Sequence, residues 1–445
     1  MKPPSDQPPS DDINGVDFLF LVSVLFSPLS LGIVASFTVY DLIVVAVAGL
    51  IILGPGRLKL LPYKLLVAAY VLCITALIST FRAPYPMESL TKILQFVFIF
   101  MVQLPVILTV VKSKKSQRLL HWSLYLFLFS GLIVAGWARI MQEAQGAGRI
   151  MTFVSDNPNR LGYPTAYLLP FAFYFLIELW SKKHLRIWII PLLLPVFYLL
   201  LWALAASASR SATVGTLVSL LCFFTFRQEF TLKPKVILRL ISAIAVIGLL
   251  GYLLAATSIF PTTLLERAER TASMESSLVN DRKYLALAGW RAFLDSPFVG
   301  VGFDNMRYLA TKYEQNATPQ LPHNIWLQFL AHIGIFGTVA FFFIILFWFI
   351  VLIRAHHQTQ NPRQRDLLAA FIAAMAGVMT IFMFIPLMDQ RHYWVLYGLG
   401  LALALESLNT SVGANKSAKP LSGNRLPTSL RRTYFRHLWG NIRCY

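Results

Sequence analysis

"LPHNIWLQFLAHIGIFG" (residues 321–337) continues through "TVAFFFIILFWFIVLI" to Ile353, so a polar pair, His323 and Asn324, stands at the mouth of a long apolar run. A run of that kind is long enough to cross the ~30 Å hydrocarbon core of a bilayer. It is not isolated. Apolar windows recur near 16–35, 37–54, 62–80, 92–111, 119–138, 161–180, 187–205, 211–226, 237–257, 335–353, 367–387 and 393–408, twelve in all. Of 445 residues 57% are hydrophobic and 13% charged, and the mean hydropathy is +0.62, well above a soluble globular composition. The fold class expected is all-α, a polytopic integral membrane protein of about 12 transmembrane helices.

The connections between these windows alternate in charge. "GPGRLKLLPYK", "KSKKSQR", "SKKHLR", "FRQEFTLKPK" and "RAHHQTQNPRQR" are basic and read as cytoplasmic, because Lys and Arg collect in short inside loops. "FRAPYPMES", "QEAQGAGRIMTFVSDNPNR", "SASRS", 258–322 and "DQRHYW" then fall outside. Both termini are expected inside, and the tail 409–445, basic and without acids after Leu408, suits anionic headgroups. The start "MKPPSDQPPSDDINGVD" lacks the basic n-region and cleavage site of a signal peptide, so Met1 is expected to remain on the mature chain. The formal charge of +19 follows the inside loops and forms no single patch, which argues against nucleic acid. Cys73, Cys222 and Cys444 show neither disulfide nor metal-ligand spacing.

The chain reads as one polytopic membrane domain, 1–445, interrupted by one long hydrophilic connection, 258–322. Within that connection "VNDRKYLALAGWRAFLDSP" predicts an outer amphipathic helix, with Asn280 or Asp281 as N-cap, apolar Leu285, Leu287, Trp290, Phe293 and Leu294, and Ser-Pro at 296–297 as its stop. "VGVGFDN" (299–305) then predicts a turn.

Walker loop, HExxH, GxSxG and Asp-x-Asp patterns are all missing, so no metal site and no cofactor is expected. What remains is a set of polar residues at the outer ends of apolar runs: Arg149, Asn157, Asn159, Arg210, Arg282, His323, Arg391 and His392. Ionisable groups near membrane depth are costly to leave uncompensated and point to function. Each also has a bland alternative. Arg210 among small residues in "ASASRSATVG" fits either a ligand contact or a snorkelling arginine. Arg282 fits a ligand contact or a solvated surface charge, and His323 a base or a headgroup-facing cap residue. His332, nine residues beyond His323, would face elsewhere on a continuous helix, which removes a two-histidine metal site. Gly334 and Gly337 are expected to serve close helix packing.

These residues resemble a family. His323, Asn324, nine residues, Gly334, two residues and Gly337 match the His-[Asn/Ser/Gln]-x9-Gly-x-x-Gly signature of bacterial O-antigen ligases, with Thr338 continuing it and Val339 departing from the second Thr. "GRIMTFVSDNPNRLGYPTAYLLP", "SASRSA" (Ser211 where the family has Gly) and "DRKYLALAGWRAFLDSPFVGVGFDN" are similar to three further family stretches, in the same order. The resemblance covers roughly 149–408 and is shared with O-antigen polymerases.

The resemblance implies an inner-membrane enzyme whose long loop and active site face the periplasm. It implies as donor a glycan on undecaprenyl pyrophosphate, transferred en bloc to a sugar hydroxyl of lipid A-core or another glycan acceptor, without metal and with inversion. By the same resemblance Arg210 and Arg282 would hold the pyrophosphate and His323 would be the base, with Asn324 orienting it. Arg149, Asn159 and Arg391 would contact pyrophosphate or glycan. A polymerase, or a non-enzymatic polysaccharide transporter with polar residues nearer mid-span, stays open as an alternative.

Overall fold

The computed structural model describes residues 13–29, 31–34, 37–54, 56–111, 116–145, 159–182, 186–227, 277–385 and 390–417. Within them the chain is helical almost throughout. α1 (Gly15–Phe26) and α2 (Val39–Leu53) are joined by a short antiparallel ribbon, β1 (Gly32–Val34) with β2 (Phe37–Thr38). α3 (Tyr63–Thr80) follows. α4 (Pro86–Phe98), a π turn (Ile99–Gln103) and α5 (Leu104–Val110) then form one rod. α6 (Ser116–Gln145), α7 (Asn159–Trp180), α8 (Arg186–Ser207) and α9 (Arg210–Arg227) complete the first part. Residues 277–417 supply α10 (Ser277–Asp295), α11 (Met306–Tyr313), α12 (Ile325–Gln358), α13 (Pro362–Phe382) and α14 (Arg391–Ser417).

Local chemistry sets these boundaries. Asn14 with Asp17, and Thr38 with Asp41, form reciprocal capping boxes at the starts of α1 and α2. Asn361 caps α13 just before Pro362, where a missing N–H costs nothing. The π turn precedes Pro105, whose ring and absent N–H disturb the helical ladder one turn earlier. α1 is shorter than the window 16–35 suggests, because the chain turns at Ser27–Leu29, around Pro28, and enters the ribbon.

Among the described residues five helices are long and apolar enough to cross a membrane: Tyr63–Thr80, Pro86–Val110, Gln117–Met141, Ile325–Gln358 and Pro362–Phe382. α13 is the buried axis. Gly377 on it meets the backbone oxygens of Ala166 (α7) and Gly215 (α9), a close three-helix approach built on small residues, as membrane helices use. The predicted ninth run, 237–257, the first part of the long connection and the tail beyond Ser417 lie outside the described residues.

Direct contacts sort the helix ends into two groups. At one end Arg82 donates to Ser296 Oγ (2.9 Å), the Tyr85 N–H to Asn305 Oδ1 (2.9 Å), Asn324 Nδ2 to the Met383 carbonyl (3.3 Å), and Arg391 to Asp41. At the other end His121 meets Tyr174 (3.0 Å), Lys182 meets Glu178 (3.7 Å), Arg227 meets Asp366 (3.5 Å), and Gln364 donates to Ser407 (2.7 Å). The grouping agrees with the alternation of basic and less basic loops.

Candidate active site

Arg210 is the first residue of α9, reached from α8 through only Ala208 and Ser209. So sharp a turn forces Ala208 into left-handed backbone, φ +46°, at a cost of ~1–2 kcal/mol for a residue with a Cβ. Serines hold the turn. Ser207 Oγ accepts the Ser209 N–H (3.2 Å), and Ser209 Oγ accepts the Ala212 N–H (3.4 Å), capping α9. The small residues around Arg210 serve packing: a Cβ on Gly162 of α7 would run into Ser207 and Ala212. Arg210 itself is half-buried.

Arg282 stands on α10, two turns before Gly289 and on the same face. Gly289 packs on Pro322, the residue before His323. α10 begins at Ser277, so the N-cap expected at Asn280 or Asp281 is superseded by an earlier start, and the helix stops at Ser296 where Pro297 follows. Its buried face is Leu285, Ala288 and Ala292, packed with Met306, Ala310 and Ala331, while Trp290 (44% exposed) and Leu294 (59%) face outward. Arg291 ties α10 to α11 by an ion pair with Glu314 (2.6 Å).

α10 and α12 are locked by a backbone device that the sequence shows only as glycines. α12 is not continuous: Gly334 has φ +68° and ψ −171°, and the helix breaks there. The loop after α10 fills the break. The Val301 and Gly302 N–H groups donate to the Ala331 and His332 carbonyls (2.9 and 3.3 Å), and the Ile335 N–H donates to the Pro297 carbonyl (2.8 Å). His332, fully buried, accepts the Asp304 N–H at Nδ1 (3.2 Å). Gly300 (φ +80°) and Gly334 must lack side chains, since a Cβ on either would strike the backbone of the facing segment. The reading of Gly334 as a helix-packing residue on a continuous helix is therefore corrected. Gly337 does pack helix on helix, against Thr75 of α3.

His323 lies half-buried just before the α12 cap. Its Nε2 is 3.3 Å from Gln320 Oε1, and its Nδ1 is buried with no hydrogen-bond partner among the described residues. Burial first, then the nearby positive charge of Arg282, holds its pKa below the ordinary histidine value. Burial, and next the charge of Arg210, likewise lowers Arg282, with the Tyr163 phenol acting in the opposite sense. Arg210, Arg282 and His323 thus form one electrostatic neighbourhood, and among the described residues Arg282 makes no ion pair.

Asn324 accepts the Trp326 and Leu327 N–H groups at Oδ1 and caps α12. Asn159 is the first residue of α7. Arg391 is held by Asp41, and Arg149 lies outside the described residues. Tyr163, buried on α7 within reach of Arg282, is a site neighbour that the sequence marks only by its place at the end of "NPNRLGY". Among the described residues no three His, Cys, Asp or Glu side chains gather as metal ligands would.

Two arginines and a histidine from three separate elements thus lie within reach of one another's charge, Arg282 between the other two. Residues 195–342 match the O-Antigen ligase family. The O-antigen ligase match takes in Arg210, Arg282, His323, Asn324, Gly334 and Gly337, and leaves Arg149, Asn159 and Arg391 outside it. It spans about a third of the chain. No curated protein matches the sequence.

Proposed function

We propose that the chain is a membrane glycosyltransferase of the O-antigen ligase type, moving a glycan en bloc from undecaprenyl pyrophosphate to a sugar hydroxyl of lipid A-core. The observation that carries this reading is that Arg282 feels the charge of Arg210, and His323 in turn feels the charge of Arg282. Like charges so placed repel, and a dianionic pyrophosphate turns that cost into binding.

In the reaction proposed, the acceptor oxygen attacks the anomeric carbon and a new C–O bond forms there. The anomeric bond to pyrophosphate breaks, and its electron pair leaves on the phosphate oxygen. Arg210 and Arg282 stabilise the charge that develops on that oxygen, and His323 takes the proton of the acceptor hydroxyl. Attack opposite the leaving group inverts the anomeric centre. A histidine kept neutral near pH 7 is ready to accept that proton.

The reading places twelve spans in the bacterial inner membrane, with the end carrying 277–324 in the periplasm, where the polyprenyl tail stays in lipid while its head reaches His323. Asn159 and Arg149, at or before the start of α7, remain proposed glycan contacts; the Arg391 proposal is weakened by its ion pair with Asp41. A transporter more often carries its ionisable groups at mid-span, whereas Asp41 and Glu178 sit near helix ends, each paired with a cation.

The test offers purified protein the lipid-linked glycan with two acceptors in parallel, lipid A-core and a second lipid-linked repeat unit. Product on lipid A-core is expected. Product on the lipid-linked acceptor alone would make the chain a polymerase, and full transfer by His323→Ala would remove the base.

A further inference from the structure

His323 is held from one side only. Its Nε2 faces the amide oxygen of Gln320 at 3.3 Å, and its buried Nδ1 has no partner among the described residues. A neutral imidazole carries one N–H, and the nitrogen that faces a carbonyl oxygen is the one that carries it, since two lone pairs would repel. Asn324, the neighbour a His-Asn pair suggests as the orienting group, is committed elsewhere: Oδ1 to the first turn of α12 and Nδ2 to the Met383 carbonyl.

We infer that Gln320 is the positioning residue of the site: it holds His323 as the Nε2–H tautomer and leaves Nδ1 as the nitrogen that takes the acceptor proton. The inference rests on the role proposed above for His323. Proton transfer to Nδ1 leaves an imidazolium whose Nε2–H still points at Gln320 Oε1. That hydrogen bond becomes charge-assisted and strengthens as the proton arrives, so it stabilises the transition state more than the ground state. The loop is built to keep the pair in register. The Gln320 N–H is bonded to the Thr318 carbonyl (2.7 Å), and Pro319 and Pro322 stiffen the chain on either side, with Pro322 buried on Gly289.

The first arm of the test needs no substrate. In full-length protein labelled with 15N-histidine, His323 is assigned by the signals lost in His323→Ala, and the two-bond ring correlations identify which nitrogen is protonated. Nε2–H is expected in the wild type, with a mixture of tautomers in Gln320→Leu. Nδ1–H in the wild type, or an unchanged pattern in Gln320→Leu, would overturn the inference. In the second arm Gln320→Leu should lower kcat about three- to tenfold, the weight of one hydrogen bond on a tautomer equilibrium, at unchanged donor KM. Gln320→Glu should move the acid limb of the pH profile upward, because a carboxylate favours the imidazolium. Inactive His323→Ala beside a Gln320→Leu that matches wild type in kcat and pH limb would remove the positioning role alone. Full transfer by His323→Ala would instead overturn the proposed reaction, while the tautomer result would still stand on its own.

Discussion

Arg391 grips Asp41 through two hydrogen bonds, Nε to Oδ1 at 3.0 Å and Nη2 to Oδ2 at 3.2 Å, joining α14 to α2 across 350 residues of chain. Asp41 is 1% exposed and Arg391 11%, and Asp41 also caps α2 through the Thr38 N–H (2.9 Å). Removing one partner of such a pair leaves a buried charge and typically costs ~3–5 kcal/mol. Asp41→Asn should therefore lower the melting temperature in detergent sharply, and Arg391→Lys, which keeps the charge and loses the fork, should lower it less. A loss of transfer by Arg391→Lys at unchanged melting temperature would instead return Arg391 to the substrate.

Gly334→Ala should damage the protein more than Gly337→Ala, although both glycines belong to one motif. At Gly334 the backbone lies in a region open essentially only to glycine, which costs a side chain ~1–3 kcal/mol, and the added Cβ meets the Phe298 carbonyl, which cannot yield without undoing the loop. At Gly337 the new methyl meets side-chain atoms of Ile333 and Thr75, which can shift. Folded yield and melting temperature of the two variants, measured side by side, check the order.

Lysine should not rescue Arg210 or Arg282. A point charge loses the bidentate geometry that a guanidinium offers to phosphate, and a lost oxyanion contact typically raises the barrier by ~3 kcal/mol, more than a hundredfold in rate. Transfer by Arg210→Lys and Arg282→Lys should fall by about that factor at wild-type protein levels. Activity near wild type in either variant would dismiss that arginine as a phosphate ligand.

The acid limb of the pH–rate profile should lie below the pKa of an ordinary histidine. Burial and the Arg282 charge both disfavour the imidazolium, so His323 stays deprotonated and able to act as a base until the pH falls below its lowered pKa. Arg282→Gln removes one of these two causes. A titration of His323 followed by 15N NMR should show its pKa rise in that variant while staying below the unburied value. A fall, or no change, would place Arg282 too far away to act on His323.

Reporter fusions after Lys115, Lys183 and Arg363 should report cytoplasm, and fusions near Pro158 and Thr318 periplasm. Reversal of either set would turn His323 away from the lipid-linked donor and end the proposed reaction.

The membrane character and the places of most helices were legible in the sequence because their causes are local. Apolar length and flanking charge report burial in lipid, whereas Arg210, Arg282 and His323 stand out from the other outer polar residues only through their resemblance to a family's motifs. Pairings between distant segments were not legible. Only the tertiary structure decides that Arg282, 72 residues after Arg210, lies within reach of its charge, or that Arg391 is answered by Asp41 and not by a ligand. The same holds for the glycines. Gly300 and Gly334 look like ordinary turn and packing residues until two backbone segments meet, because the need for a missing Cβ arises from what approaches it and not from the residues beside it in the chain.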